Sequence, residues 1–377
     1  MKIVIAPDSY KESLSALEVA EAIEKGFKYH FPDAEYVKIP MADGGEGTVQ
    51  SLVDATDGEI IRKTVTGPLG EPVEAFFGIL GNKRTAVIEM AAASGLHLVP
   101  HEKRNPLQTS TRGTGELISA ALDYGVDHII IGIGGSATND GGAGMAKALG
   151  IGLIDRNGME IGEGGGSLGE LASIDLTHLD PRLVNVNIEV ACDVDNPLTG
   201  ERGASAIFGP QKGATPAMVK QLDRNLDHYA DIIARELGKN IKEVAGAGAA
   251  GGLGGGLLAF LPSVLKRGVD IVIDATGLAE MVEDADLVIT GEGKIDHQTI
   301  FGKTPIGVAK AAKKFEVPVI GIAGNLGKDS QVVHDNGIDA IFSIVPGVVV
   351  LDDAFKHAAE YVERTVANIA AVWKMRG

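Results

Sequence analysis

Short apolar runs rich in β-branched residues recur along the chain, and most of them end in a polar loop that contains glycine. Such runs occupy residues 2–6, 36–39, 129–133, 188–192, 286–290 and 317–322, and they have the length and composition of buried strands. After the first loop, Ser15 precedes apolar positions at helical spacing and Glu18 lies three residues further on, which predicts a helix with a capping box. Strands that alternate with helices predict an α/β fold with a parallel sheet.

The alternation breaks in residues 60–90, where the apolar runs 60–65, 73–80 and 85–90 are separated only by short turns. Because no helix fits between them, these runs predict antiparallel hairpins. The Asn157-Gly158 pair predicts a further hairpin between residues 151–155 and 159–161. Long helices are predicted over residues 216–237 and 352–374.

At both ends of the chain predicted strands alternate with predicted helices, whereas in the middle they do not. The length of 377 residues also exceeds that of an ordinary single domain. We therefore expect two α/β domains. Residues 1–65 and 285–377 are predicted to form a discontinuous Rossmann- or flavodoxin-like parallel-sheet domain, and residues 66–284 a larger inserted mixed α/β domain. The active site is expected in the cleft between them.

Composition narrows the class of partner. A net charge of −17 argues against nucleic acid or an anionic membrane as the main partner, and a single cysteine excludes a disulfide framework. No apolar run approaches the roughly 18 residues of a membrane-spanning helix, and the N-terminal segment has no signal-peptide layout. These features favour a cytoplasmic protein with a small-molecule substrate, and a homodimer is one open arrangement.

The polar loops carry the chemistry. In open parallel sheets, ligands bind outside the carboxyl ends of the strands. The loops that follow six predicted strands contain glycines together with acidic, basic or amide residues. This combination of residues suits phosphoryl transfer with Mg²⁺. The most informative loop is G-G-S-A-T-N-D at residues 134–140, which lies between a predicted strand and a predicted helix and can cradle phosphates through backbone amides.

Standard motifs for other chemistries are weak. G-K-T at residues 302–304 lacks the leading glycine of a P-loop, and no protein-kinase signature set occurs. G-A-G-A-A-G at residues 246–251 matches the dinucleotide-binding pattern but follows a helical segment. It leaves a dinucleotide-dependent oxidoreductase as a less favoured alternative.

Several stretches together resemble the bacterial glycerate kinase family, and they cover essentially the whole chain in order. They are D-S-Y-K-E-S-L-S at 8–15, M-A-D-G-G-E-G-T at 41–48, G-P-L-G at 67–70, G-T-G-E-L-I at 113–118, G-G-S-A-T-N-D-G-G at 134–142, C-D-V-D-N-P-L at 192–198, F-G-P-Q-K-G-A at 208–214 and G-E-G-K-I-D at 291–296. Tyr10 and Glu12 stand where the family is associated with Phe and Gly, a difference in loop packing beside Lys11.

The resemblance implies phosphorylation of D-glycerate by ATP with Mg²⁺, with 2-phosphoglycerate as the favoured product. On this basis we expect Asp193 to be the general base and Lys11 and Lys212 to act as catalytic cations. Cofactor-binding roles are expected for Gly134, Gly135, Ser136, Thr138, Asn139, Asp140, Gly291, Glu292 and Lys294. Substrate contacts are expected from Asp8, Ser9, Asp43 and Glu46, and metal contacts from Glu292 and Asp296. A kinase for another small hydroxy or sugar acid is the alternative within the same class.

Overall fold

The computed structural model describes residues 1–375, which contain thirteen strands and thirteen α-helices. The strands are β1 (Lys2–Pro7), β2 (Glu35–Lys38), β3 (Glu59–Thr66), β4 (Pro72–Ile79), β5 (Thr85–Glu89), β6 (His128–Gly132), β7 (Gly152–Asp155), β8 (Leu171–Asp175), β9 (Asn187–Ala191), β10 (Ser263–Lys266), β11 (Leu287–Ile295), β12 (Val319–Leu326) and β13 (Ala340–Ser343). The α-helices are α1 (Ala16–Lys28), α2 (Thr48–Thr56), α3 (Ala91–Ser94), α4 (Arg112–Leu122), α5 (Ala143–Ala148), α6 (Ala204–Phe208), α7 (Pro216–Leu237), α8 (Ala249–Phe260), α9 (Gly268–Thr276), α10 (Leu278–Val282), α11 (Thr304–Lys313), α12 (Leu351–Lys356) and α13 (Ala358–Lys374).

Contacts between Cα atoms divide the chain into two compact units. The first unit contains residues 1–43, residues 50–57 and the chain from residue 269 onward, and the second contains residues 44–49 and 58–268. The α/β fold class is confirmed. The two units divide near residues 58 and 268, whereas the sequence predicts domain limits at 66 and 284. The predicted limits and the predicted cleft between the domains stay predictions.

The first unit is built on a sheet in which every neighbouring pair of strands is parallel, in the order β13-β12-β11-β1-β2. Helix α1 begins as the sequence predicts: the Ser15 side chain accepts a hydrogen bond from the Glu18 backbone N–H, and the Glu18 carboxylate accepts one from the Ser15 backbone N–H. This capping box satisfies two amide groups that the helix cannot pair internally. Val19 and Ile23 of α1 share a buried cluster with Val362 of α13.

The second unit contains a mixed sheet in the order β10-β9-β6-β5-β4-β3. Strands β10, β9, β6 and β5 are mutually parallel, whereas β5, β4 and β3 pair antiparallel, which confirms the hairpins predicted over residues 60–90. Ile129 and Ile131 of β6 are fully buried in the core of this unit. The sheet thereby fixes the ends of β6 and β9, from which two predicted site loops begin.

Two predicted elements are wrong in detail. Residues 159–161 do fold back on β7 through a bridge between Ile154 and Glu160 and hydrogen bonds from Asp155 N–H to the Met159 carbonyl and from Ile161 N–H to the Leu153 carbonyl, but they do not form a strand, and the strand partner of β7 is β8. The predicted helix over residues 352–374 is two helices, α12 and α13, separated at His357. Within residues 1–375, no helix is both long and apolar enough to cross a membrane.

Candidate functional site

The glycine-rich turn after β6 has two distinct sides. Gly134 and Gly135 are exposed, whereas Ser136, Thr138 and Asn139 behind them are buried. Gly135 adopts a φ of 74°, in the left-handed region that glycine tolerates without strain. The turn therefore offers backbone to a ligand and keeps its polar side chains inside the second unit.

Lys212 lies behind this turn and is only 1% exposed. Its Nζ donates to the Ser136 hydroxyl and to the Thr138 carbonyl, both at 2.6 Å. Burial lowers the pKa of Lys212 to about 7, although the Asp140 carboxylate opposes the shift. The structure thus joins two separately predicted motifs and places beside the turn a cation that titrates near neutrality.

Asp140 anchors the end of the turn. Its carboxylate accepts hydrogen bonds from the Thr111 backbone N–H and hydroxyl, both at 2.8 Å, and from the N–H groups of Gly142 and Gly144, both at 3.2 Å. Burial raises the pKa of Asp140, and these donors oppose the shift. Because Asp140 and Asn139 are both 0% exposed, in this structure they support the turn from within.

Three polar atoms beside this anchor are buried and have no hydrogen-bond partner among residues 1–375: Thr138 Oγ1, Asn139 Oδ1 and Tyr229 Oη. The Asn139 amide nitrogen does donate to the Ser205 hydroxyl, at 2.9 Å. Since buried polar groups are normally paired, these atoms mark the interior of the turn as unusually polar.

The densest glycine run of the chain supports the same turn. Gly251, with a φ of 69°, lies so close to the turn that a Cβ there would be 1.9 Å from the Thr138 carbonyl oxygen. A Cβ on Gly256 would be 2.3 Å from the Gly141 carbonyl oxygen. Residues 246–251 follow helix α7 and lead into α8, so they lack the strand–turn–helix setting of a dinucleotide-binding loop. These glycines permit backbone-to-backbone packing.

Asp193 lies just beyond β9 at the same edge of the sheet as the turn. Strands β6 and β9 are parallel neighbours, and Gly132 is paired in register with Ala191, so both following loops leave the sheet side by side. The Asp193 side chain is exposed, and its Oδ1 accepts a hydrogen bond from the Gly268 N–H at 3.1 Å. This position fits a carboxylate that meets a ligand at the strand ends.

Most of the other predicted residues meet in one pocket of the first unit, with a volume of about 430 Å³. Its polar lining includes Asp8, Ser9, Lys11, Asp43, Glu292 and Lys294. The pocket therefore collects residues predicted for the substrate together with residues predicted for the nucleotide. Gly291 is buried next to it in β11, where its carbonyl accepts a hydrogen bond from the Asp8 N–H.

Asp8 is a pocket residue whose pKa is shifted from its ordinary value. Burial, together with the negative charge of Asp43, raises the pKa of Asp8 to about 6. The Thr304 hydroxyl donates to Asp8 Oδ2 at 2.7 Å and the Ser9 N–H donates to Oδ1 at 2.7 Å, which oppose the shift. No ion pair to Asp8 occurs within the described part of the chain.

The two predicted metal ligands already bind cationic side chains. Glu292 accepts from Lys303 Nζ at 2.8 Å and from the Thr299 hydroxyl at 2.6 Å. Asp296 pairs with Lys294 at 2.8 Å, and this ion pair lowers the pKa of Asp296. Across residues 1–375, no group of three or more His, Cys, Asp or Glu side chains is arranged to hold a metal ion.

Glu46 belongs to the second unit and is exposed. Burial raises the pKa of the nearby Glu89, and the charge of Glu46 adds to this shift, while backbone N–H groups at the start of α2 oppose it. Glu89 accepts from the Val49 N–H at 2.8 Å. Glu46 is not among the residues that line the pocket of Asp8 and Asp43.

Sequence reasoning missed part of the pocket. Lys303 belongs to the G-K-T stretch that the absent P-loop glycine excluded, yet it lines the pocket and pairs with Glu292. An apolar wall was missed as well, because nothing in its sequence suggests chemistry. It is formed by Ile344, Val345, Leu351, Ala354, Phe355 and Ala358.

Comparisons with known proteins place these features in context. The model of the glycerate kinase family matches residues 3–374. Glycerate kinase of Bacillus subtilis strain 168 is 68% identical over 375 residues, which cover 100% of this chain and 98% of that protein. Glycerate 2-kinase of Escherichia coli K12 is 62% identical over 371 residues, with 98% and 97% covered. A solved structure from Salmonella typhimurium LT2, provisionally assigned as glycerate kinase 2, is 59% identical, with a TM-score of 0.93 and with 100% of this chain and 98% of that chain covered.

Proposed function

The chain belongs to the glycerate kinase family, and we propose that it transfers the terminal phosphoryl group of ATP to D-glycerate in the presence of Mg²⁺. The observation that carries the phosphoryl chemistry is Lys212, a buried lysine with a pKa near neutrality directly behind the Gly134–Gly135 turn. Backbone amides and a cation together stabilise the negative charge of a phosphoryl group. D-glycerate is proposed as the phosphoryl acceptor because of the family to which the chain belongs.

In this proposal the turn and Lys212 hold the phosphates. The N–H groups of exposed Gly134 and Gly135 are free of the steric cover that a side chain would add. Ser136, which accepts a hydrogen bond from Lys212, links the cation to the turn. A phosphate bound there would favour the charged form of Lys212 and so raise its pKa.

Asp193 is proposed as the general base. Its carboxylate accepts the proton of the attacking glycerate hydroxyl as the new O–P bond forms, and the bond to the departing ADP breaks. An exposed carboxylate at the strand ends can reach such a hydroxyl, and the hydrogen bond from the Gly268 N–H helps to hold the Asp193 carboxylate in place. The 2-hydroxyl is the favoured acceptor, which makes 2-phosphoglycerate the product.

The donor set of the first unit fits Mg²⁺. Mg²⁺ is usually held by one or two carboxylates together with substrate phosphates, so a cage of three protein ligands is not required. Asp8 and Asp43 would hold it, because the charge of Asp43 helps to raise the pKa of Asp8, and a divalent cation would offset this repulsion. The predicted ligands Glu292 and Asp296 would first have to release Lys303 and Lys294. When bound, the ion supplies Lewis-acid stabilisation of phosphate oxygens.

Lys11 and Ser9 are proposed to contact ligand anions in the same pocket. Lys11 is exposed and lines the pocket, and it makes no ion pair with any residue of the described chain. Its charge is therefore available to a carboxylate or a phosphate, whereas Lys294 is engaged by Asp296.

The direct test is ADP release by the purified chain with D-glycerate, ATP and Mg²⁺, followed by identification of the product by ³¹P NMR. D-glycerate-dependent release with 2-phosphoglycerate as the product supports the proposal, and 3-phosphoglycerate rejects the assigned position. L-glycerate, glycolate and sugar acids are the comparison acceptors. A higher kcat/KM for one of these would reject D-glycerate as the substrate and leave a kinase for another hydroxy acid.

A further inference from the structure

The pocket of the first unit is larger and more apolar than a small hydroxy acid requires. Its volume of about 430 Å³ falls within the roughly 300–1,000 Å³ of pockets that enclose drug-sized ligands. The proposed chemistry uses only its polar side, where Asp8, Lys11 and Asp43 lie. The apolar part of the lining therefore needs an occupant with an apolar surface.

That apolar part is the apolar wall, defined above by Ile344, Val345, Leu351, Ala354, Phe355 and Ala358. It is formed by the segment that follows β13, by helix α12 and by the first residue of α13. The Ser13 hydroxyl donates to the Phe355 carbonyl at 2.9 Å, which ties α12 to the loop after β1. Leu351 is 65% exposed, so its large apolar side chain is mostly accessible to solvent and to a ligand.

The polar residues of the pocket lining, here called the polar edge, favour a ligand with an anionic chain. Lys303 and Lys294 lie there but are paired with Glu292 and Asp296, respectively. Lys11 is the cation of this edge that has no ion pair within residues 1–375, so it can meet a phosphate directly. Asn325 also lines the pocket and its side chain makes no hydrogen bond within those residues, which leaves an amide donor and acceptor for a polar edge of a ligand.

An occupant must therefore combine a flat apolar body, a few polar edge atoms and an anionic chain. D-glycerate has the anion but no apolar body, whereas a nucleoside polyphosphate has all three. We propose that the apolar wall binds the nucleoside of ATP, with Leu351, Ala354 and Phe355 against the base and Lys11 beside the polyphosphate. This inference rests on the proposed function, because it assigns the nucleotide of that reaction to a pocket.

The test measures binding and not turnover. Titration calorimetry with Mg²⁺–ADP and, separately, with Mg²⁺–tripolyphosphate compares the wild type with Leu351→Ser and Ala354→Leu. Each variant is expected to weaken ADP binding by about tenfold and to leave tripolyphosphate binding within twofold, because only the base loses its apolar contact. Val372→Ser and Ala371→Leu are the matched controls, since these positions lie on α13 and do not line the pocket. They should leave both affinities unchanged.

The outcomes separate the two proposals. Unchanged ADP affinity in Leu351→Ser overturns the wall assignment, and this variant is informative because an exposed position tolerates substitution even if Ala354→Leu fails to fold. Equal weakening of ADP and tripolyphosphate also overturns it, since the wall would then not contact the base. ADP binding that depends on the wall, without any turnover of D-glycerate, would reject the proposed function and retain the nucleoside pocket. Absence of ADP binding in the wild type rejects the pocket.

Discussion

Lys212 Nζ lies 2.6 Å from the Ser136 hydroxyl, although the two residues are 76 positions apart in the chain. The contact joins the loop after α6 to the turn after β6, and it buries an amine whose pKa falls to about 7. The protein therefore holds a buried amine that is only partly protonated near neutral pH.

Proton uptake should accompany ligand binding at this turn. With a pKa of about 7, Lys212 is about half protonated at neutral pH, and a bound phosphate should raise its pKa and draw in about half a proton. Calorimetry with Mg²⁺–ADP in two buffers of different ionisation enthalpy measures this uptake. Lys212→Arg should abolish the buffer dependence, because arginine stays charged. Equal enthalpies in both buffers for the wild type would contradict the prediction.

Lys212→Met should reduce kcat by about 10²–10³-fold if the cation acts on charge that develops in the transition state. The thermal midpoint serves as the control, since a folded variant with normal kcat would show that Lys212 only supports the turn.

Asp193→Asn should reduce kcat by about 10²-fold or more with little change in KM, because the amide cannot accept the hydroxyl proton. Asp195→Asn is the matched control: Asp195 lies in the same loop, is exposed and pairs with Arg202 at 2.7 Å. Steady-state kinetics with both substrates decide the matter. Near-normal kcat in Asp193→Asn would remove it from the role of base.

Lys11→Ala should lower kcat/KM by an amount equivalent to about 3 kcal/mol if Lys11 meets the transferring phosphoryl group. Lys310→Ala is the control, because Lys310 is an exposed lysine of α11 that does not line the pocket. If both variants retain the wild-type value, Lys11 is an ordinary surface lysine.

Asp8→Asn should stabilise the folded chain near neutral pH while it impairs activity. The folded pKa of about 6 exceeds the ordinary value of 3.8, so the folded state holds this proton more tightly and loses stability as the pH rises between these values. Removing the charge should therefore add about 1–2 kcal/mol to the free energy of unfolding at about pH 7.5, and less at about pH 5.

Denaturant titration in Mg²⁺-free buffer at both pH values measures this difference. Addition of Mg²⁺ should then stabilise the wild type more than Asp8→Asn, because the variant lacks one proposed ligand. A variant that is less stable than the wild type at the higher pH would contradict the prediction.

Local and periodic features of this protein can be predicted from its sequence. The Ser15–Glu18 capping box forms as expected because its partners are three residues apart. The parallel strands follow from β-branched runs, and the loops that carry Asp8, Asp43 and Asp193 were found because the ends of such strands are defined by composition.

Features that depend on distant packing could not be predicted. Asn157-Gly158 does form a turn, with a φ of 79° at Gly158, but β7 finds its strand partner in β8. The role of Gly251 is visible only from its distance to Thr138, and the apolar wall contains no chemical group that a motif could signal. The partners of Glu292 and Asp296 likewise depend on side-chain directions that spacing does not encode.

The pairing of β1 with β11 has a consequence for synthesis on the ribosome. The Lys2 N–H donates to the Asp286 carboxylate across a separation of 284 residues, and Ile3 is in register with Leu287. At typical translation rates, β11 is synthesised on the order of tens of seconds after β1. The residues of the second unit are synthesised in that interval. A nascent chain arrested when residues up to 268 have left the ribosome while β11 is still inside it should thus contain a protease-resistant second unit and an N-terminal strand that chaperones can still bind.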